Sequence, residues 1–370
     1  MHKIDPADEA QLFATIDRWV EREVAPRVKE FDHADKWPAE IVEQMKEFGL
    51  FGATVSPEYG GLGLPATTYA QIVMKISAVW MAITGIFNSH LMLALAVEKF
   101  GTEPQKRHWL PKFASGEVRG GLALTEPNAG TDLQAIHMTA RRDRGDYVIN
   151  GTKTWISNGV EGSCFALLVK TNPEASPRYS GMSLFIAPKG PGFTVGRKLE
   201  KLGYHSIDSG ELVFQDYRVP ADHLIGEVEG RGFTQVAGGL ELGRINVAAR
   251  GVGIAEGALK LATDYAQLRQ TFGKPIIEHQ AIAAKLGGIA MRLEVARSAV
   301  WRAAWASDHP EAVADRSLPD LSLQAVAEAF APEAMLRAAK DAAECFGAMG
   351  VMRDMPLHKF VRDARICLHS

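Results

Sequence analysis

Gly121-Leu122-Ala123-Leu124-Thr125-Glu126-Pro127-Asn128-Ala129-Gly130-Thr131-Asp132 stands where the pattern of the chain changes from helix to strand. A short apolar run ends in a Thr-Glu-Pro turn, and a glycine follows among small hydroxyl and amide residues. Pro127 fixes φ and removes a donor, Gly130 can take a positive φ, and Asn128 and Asp132 can satisfy backbone groups locally. Such a turn can be rigid while its N–H groups face outward. Either it holds a ligand or it is an ordinary turn between strands, because any turn uses these residues.

Upstream, residues 7–120 read as helices. Ala10, Leu12, Phe13, Ile16, Trp19 and Val20 recur at helical spacing, as do Ile41, Val42, Met45, Phe48 and Leu50. From Tyr69 to Trp80 and from Met81 to Phe100 the residues are apolar on most faces, which predicts helices buried in a bundle. Tyr59-Gly60-Gly61-Leu62-Gly63-Leu64-Pro65 lacks a preceding strand and the GxGxxG spacing, so it reads as a connecting loop rather than a phosphate cradle.

Downstream the period is that of strands. Tyr147 to Gly159 carries Asn150-Gly151 between β-rich runs, which predicts a hairpin turn at that pair. Phe165–Val169, Met182–Ile186, Phe193–Val195 and Glu211–Phe214 are further short strands, closing with Tyr217-Arg218-Val219-Pro220-Ala221-Asp222. Helices then return over 234–271, 278–308, 320–348 and from Pro356, with a loop over Pro310–Pro319 containing Asp315 and Ser317. Gly251-Val252-Gly253-Ile254-Ala255-Glu256-Gly257 is not a dinucleotide fingerprint, since it lies inside a helical pattern where small residues permit close packing. The expected domains are 1–120, helical; 121–227, β; and 228–370, a helical bundle.

The chain has 370 residues, enough for two or three domains with a large cofactor between them. It is 46% hydrophobic and 23% charged with a formal net charge of -3, so nothing recruits nucleic acid or an anionic membrane. Cys164, Cys345 and Cys367 lack CxxC spacing or neighbouring histidines, so neither a disulfide framework nor a metal site is expected. Met1 to Pro6 has no apolar signal region, and no run reaches the roughly 18 uninterrupted apolar residues of a membrane span. A cytoplasmic protein is expected, or an organellar one whose leader has been removed.

The Thr125 loop and Trp155-Ile156-Ser157 fall in the same small β domain, offering hydroxyls and a flat aromatic face to a common ligand. A flavin suits them: reduction places negative charge near N1 and O2, and N5 can be held by a hydroxyl such as that of Ser157. Trp155 either packs on the ring or fills the interface between sheet and helices. Further on, Arg269 can pair with a pyrophosphate and Gln280 can reach a ribose, or this is a helix end with a surface arginine. Glu344 to Gly350 has small residues at a helix end, which permit close backbone approach or simply cap the helix.

Taken in order, Tyr59-Gly-Gly-Leu-Gly, Leu124-Thr-Glu-Pro-Asn-Ala-Gly-Thr-Asp, Lys153-Thr-Trp-Ile-Ser-Asn, Gly239-Leu-Glu-Leu-Gly-Arg-Ile, Arg269-Gln-Thr-Phe-Gly-Lys-Pro, His279-Gln, Phe346-Gly-Ala-Met-Gly and Arg362-Asp-Ala-Arg resemble the acyl-CoA dehydrogenase family over essentially the whole chain. The resemblance implies an α+β fold: an N-terminal helical domain, a central β-barrel-like domain and a C-terminal four-helix bundle, assembled as a homotetramer or homodimer. It implies FAD at the subunit interface, with Leu122, Leu124, Thr125, Gly130, Thr131, Trp155, Ile156 and Ser157 at the flavin end. Arg269, Thr271, Phe272 and Gln280, with Glu344, Cys345, Phe346, Gly347 and Ala348, would contact the ADP portion. Glu344 stands where the family usually has glutamine.

Thr131, in place of a common serine, is also expected to touch the thioester. Glu241 and Arg244, three apart on one helix face, match CoA-binding positions, or form an exposed ion pair. Gly243 occupies the position from which one branch of the family presents its catalytic glutamate, and it cannot act as a base. Most members carry that glutamate after the Arg-Asp-Ala-Arg segment, so the base is expected just beyond Ser370, on a tail that would also supply the closing helix. The implied reaction is α,β-dehydrogenation of an acyl-CoA thioester, with electrons passed to an electron-transfer flavoprotein. Alternatives within the same fold are a flavin oxidase or monooxygenase acting on a non-CoA substrate, and a non-catalytic flavin- or acyl-CoA-binding protein.

Overall fold

A computed structural model describes residues 4–313 and 323–369; the readings made for Met1–Lys3, the later part of the 310–319 loop, the first residues of the 320–348 helix and Ser370 fall outside them. The N-terminal part comprises α1 (Pro6–Trp19), α2 (Val28–Ala34), α3 (Ala39–Glu47), α4 (Ala66–Phe100) and α5 (Glu103–Ala114). Asp5 caps α1 by accepting the Ala7 N–H, and Thr102 with Gln105 forms a capping box on α5. The two apolar segments expected around Trp80 form one 35-residue element, bent where Trp80 leaves helical backbone (φ -148°, ψ 91°). By length and composition α4 could cross a membrane, but 78% of its most apolar window is buried within the protein. It is the central core helix.

The β domain follows: β1 (Gly120–Ala123), β2 (Thr139–Asp143), β3 (Asp146–Ser157), β4 (Cys164–Lys170), β5 (Met182–Pro188), β6 (Phe193–Lys198) and β7 (Ser209–Val219). Its order is β1-β4-β2-β3-β7-β6, with β5 on β4; β4 runs parallel to β1 and β2, and the other pairs are antiparallel. Tyr147, Phe165, Phe185, Phe214 and Tyr217 fill the domain's own core.

Asn150-Gly151 is not a hairpin turn. The pair lies within β3, where Gly151 (φ 141°) marks a register shift against β7, and the chain reverses instead at Arg144-Gly145, both at positive φ. An added Cβ at Gly151 would lie 2.8 Å from Met138 Cγ, so the glycine serves a close approach inside the sheet.

The C-terminal part contains α6 (Gly232–Leu268), a two-residue hairpin of β8 (Gln270–Thr271) and β9 (Lys274–Pro275), α7 (Gln280–Asp308), α8 (Leu323–Cys345) and α9 (Leu357–Cys367). The helix expected through residue 271 stops at Leu268 because Phe272 and Gly273 both take positive φ and turn the chain. The Gly251–Gly257 run is helix, and it is an interhelical contact. A Cβ at Gly253 would lie 2.4 Å from Met74 O, and one at Gly257 2.1 Å from Ala78 O, so these glycines let α6 seat directly on α4.

Candidate active-site cleft

The Thr125 loop is fastened from beneath. Lys153, fully buried on β3, donates to Leu124 O (2.8 Å) and Glu126 Oε1 (2.8 Å), and Glu126 also accepts the His137 and Met138 N–H groups. Burial pulls the Lys153 ammonium down to about 8, against the opposing pull of Glu126. The Thr154 N–H donates to Thr125 O at 2.9 Å, and Glu126 and Ala129 exchange two backbone hydrogen bonds across the turn. Gly130 does not take the positive φ that its turn position permits; the Glu126–Ala129 pairing closes the turn without it.

The next three residues are set by a bulge. Between Lys153 and Ile156 the β3–β7 register shifts, and Trp155 takes φ 61°. A bulky residue in that region is an outlier, and bulges re-aim side chains. Trp155 is consequently 63% exposed while Ile156 is buried. The tryptophan therefore does not fill a sheet–helix interface.

Leu122, Leu124, Thr125, Trp155, Ile156 and Ser157 form one wall of a cavity of about 780 Å³ where the three parts of the chain meet. Asn88, Ser89 and Met92 of α4 face it, Lys201 and Tyr204 come from the loop before β7 and Ser209 from its first residue, and Gly243, Arg244, Val247 and Arg250 come from α6. Glu328 of α8 and Ile366 and His369 at the end of α9 complete it. Asn158 clamps sheet to helix by donating to Ile86 O (2.8 Å) and Gly120 O (2.9 Å). Among the described residues no protein partner is found for the hydroxyls of Thr125 and Ser157.

The i,i+3 ion pair of Glu241 with Arg244, the alternative to a CoA-binding role, does not form. Arg244 reaches across to Glu328 (3.2 Å), whose carboxyl is pushed up by burial against the pull of Arg244, while Glu241 is exposed outside the cavity. Gly130 and Thr131 are exposed on the loop and do not line it.

A second group lies at the C-terminal ends of α6 and α8. Arg269 and Gln280 are exposed, Phe272 is 96% exposed at the tip of the β8–β9 turn, and Thr271 Oγ1 is 3.1 Å from His279 Nε2. Glu344 pairs with Lys285 of α7. Cys345 and Phe346 are buried: the thiol donates to Asp341 O, and the ring stacks on Tyr265 at 4.0 Å. Gly347 (φ 58°) and Ala348 are exposed there.

The cavity residues absent from the sequence reading are chiefly Asn88, Ser89, Met92, Tyr204, Arg250 and Glu328. Arg250 carried a visible signal, being the one charge between Arg244 and Glu256 in a run of apolar and small residues. The others become neighbours only through tertiary packing.

A helical–β–helical chain with a deep cleft at the junction, walled by a turn with free hydroxyls and an exposed tryptophan, defines a cofactor-dependent enzyme scaffold. Family models for the N-terminal, middle and C-terminal domains of acyl-CoA dehydrogenase match residues 6–117, 121–217 and 230–368. An acyl-CoA dehydrogenase of Bacillus subtilis (strain 168) is 36% identical over 97% of this chain and 93% of its own. Among solved structures, butyryl-CoA dehydrogenase from Megasphaera elsdenii superposes with a TM-score of 0.92 at 32% identity, covering 100% of this chain and 95% of its own. One described as an electron transferring flavoprotein of Acidaminococcus fermentans gives a TM-score of 0.92 at 34% identity, covering 99% and 94%. The chain belongs to the acyl-CoA dehydrogenase family.

Proposed function

We propose that this cleft holds FAD beside an acyl-CoA and that the protein is an FAD-dependent acyl-CoA dehydrogenase forming the trans-2-enoyl thioester. The observation that carries the reading is the convergence, on one cavity wall, of the outward-turned Trp155 with the unpartnered hydroxyls of Thr125 and Ser157. This wall fits a flavin: a flat aromatic face, two free hydrogen-bonding groups, and an apolar lining from Leu122, Leu124 and Ile156. When bound, FAD supplies the acceptor for a hydride leaving the β carbon. The chain's own part is to orient and exclude water. Thr125 and Ser157 fix the ring, and the Lys153–Glu126 pair holds the Thr125 loop in register.

The exposed group of Arg269, Thr271, Phe272, Gln280, Glu344, Gly347 and Ala348 suits the ADP portion, at an interface with another subunit of a dimer or tetramer. Cys345 and Phe346 act there only through backbone and packing. Thr131, Glu241 and Arg244 are assigned to the CoA thioester and Gly130 to the flavin end; of these Arg244 lines the cavity, while the other three are exposed outside it. The reading also calls for a proton-abstracting carboxylate, and the end of α9 reaches the cavity through Ile366 and His369. The task of that carboxylate is removal of the α proton, acidified by hydrogen bonding at the thioester carbonyl. An electron-transfer flavoprotein is the proposed electron acceptor.

FAD retention tests the cofactor half of this reading. The purified protein should carry one FAD per chain, and Arg269→Ala should weaken that binding by about tenfold, the loss of one charge-assisted contact to phosphate. A protein that neither retains nor takes up FAD contradicts it.

A further inference from the structure

Arg250 is the anomaly of the cavity. It is 3% exposed, lines the cavity, and its Nε has no hydrogen-bond partner. Its Nη1 donates to Tyr204 Oη at 2.8 Å, and the guanidinium lies 5.3 Å from the Tyr204 ring centre. Among the described residues no carboxylate lies within ion-pair distance of it. The nearby acid is already matched: Asp363 accepts from Lys359 (2.8 Å) and from the Tyr204 N–H (2.7 Å). The fold makes room for the pair, since any Cβ at Gly85 would lie 1.5 Å from Tyr204 Oη. A buried, unneutralised cation is costly unless something pairs with it.

Resting on the acyl-CoA reading above, the geometry points to the partner: a carboxylate at the far end of the substrate's acyl group. Arg250 is seven residues beyond Gly243 on the same helix, about 10 Å along the axis at 1.5 Å per residue, with its side chain leaning back toward Gly243. Val247 lies between them and lines the same cavity, giving an apolar passage for a short carbon chain. At its end the guanidinium, a fork of donors matched to carboxylate, and the Tyr204 hydroxyl receive the anion. The preferred substrates are therefore CoA thioesters of short dicarboxylic acids. An unsubstituted acyl chain of the same length would leave the cation unpaired.

The test compares the full-length FAD-loaded enzyme on matched thioesters: glutaryl-CoA against pentanoyl-CoA, and adipyl-CoA against hexanoyl-CoA, with the monomethyl ester of glutaryl-CoA as a neutral control. The wild type is expected to favour the carboxylate partner of at least one pair by about 10-fold or more in kcat/KM, and to lose that preference with the ester. Arg250→Met should lower the carboxylate-to-neutral ratio by about 100-fold, the scale of truncating one partner of a buried charge pair. Arg250→Lys, which keeps the charge but not the fork, should lower it less. If Arg250→Met does not fold, Arg250→Lys and Tyr204→Phe carry the same comparison. A wild type that prefers the neutral thioesters, or a ratio unmoved by these changes, overturns the inference. Reduction of the flavin by none of the thioesters would instead remove the acyl-CoA reading, and this inference with it.

Discussion

Lys153 and Glu126 are both buried and hold the Thr125 loop through four hydrogen bonds to each other and to backbone. Removing one partner strands the other charge. Lys153→Met should lower stability by about 3–5 kcal/mol, and the double change with Glu126→Gln should cost less than Lys153→Met alone, by urea unfolding. A double variant that costs the sum of the two single changes would show that the pair is not coupled. His90 of α4 gives a pH signature. Held between Phe51 and Phe113 with Nε2 2.9 Å from Phe113 O, it is pushed down to about 4 by burial, so it folds uncharged. A lowered folded value means stability is intact above the ordinary 6.5 and is lost as pH falls from there toward 4, by up to about 3 kcal/mol. His90→Gln should flatten that part of the profile; an unchanged slope would contradict the assignment. At this scale the sequence was legible where placement is local: Thr125 and Ser157, read as parts of one β domain, line the same cavity wall. It was silent on Tyr204 and Glu328, whose neighbours are far along the chain.

Among the elements, α4 and α6 decide the architecture, and glycine decides how closely they lie. Gly257→Ala places a Cβ 2.1 Å from Ala78 O, a backbone atom that cannot step aside, and should cost about 1–3 kcal/mol or more. Gly190→Ala meets nothing within 4 Å and should stay within about 0.5 kcal/mol. Chemical denaturation of both variants checks the contrast, and similar losses would place the strain elsewhere. Helical periodicity made these elements readable because one face or all faces are buried over many turns. The strands were less so. Asn150-Gly151 carries the strongest short turn signal, yet Gly151 is needed for the approach of Met138, and tertiary packing overrode the local preference. The bulge at Trp155 leaves no mark in sequence, although it turns the tryptophan to the cleft.

For the whole molecule, the N-terminal and C-terminal helices share one core that also takes in residues of the sheet, the β domain keeps a second core of its own, and all three parts contribute to the cavity at their junction. The motif order made the family readable from the sequence, because several ordered motifs recur along the whole chain, some at the ends of elements and others, such as Gly239–Ile245, inside helices. What the motifs could not convey is the far end of the cavity, where Arg250 and Tyr204 meet across 46 positions of chain. The exposed group around Arg269 and Phe272 is separate from the cavity and awaits a covering subunit in the proposed assembly. The most direct measurement of the central claim is anaerobic mixing of the full-length FAD-loaded protein with a panel of acyl-CoA thioesters, following the flavin's visible absorption and the enoyl-CoA formed. The account predicts that at least one thioester bleaches the flavin with one equivalent of enoyl-CoA per FAD. An oxidised flavin that persists with every thioester, in a protein that binds them, would contradict it.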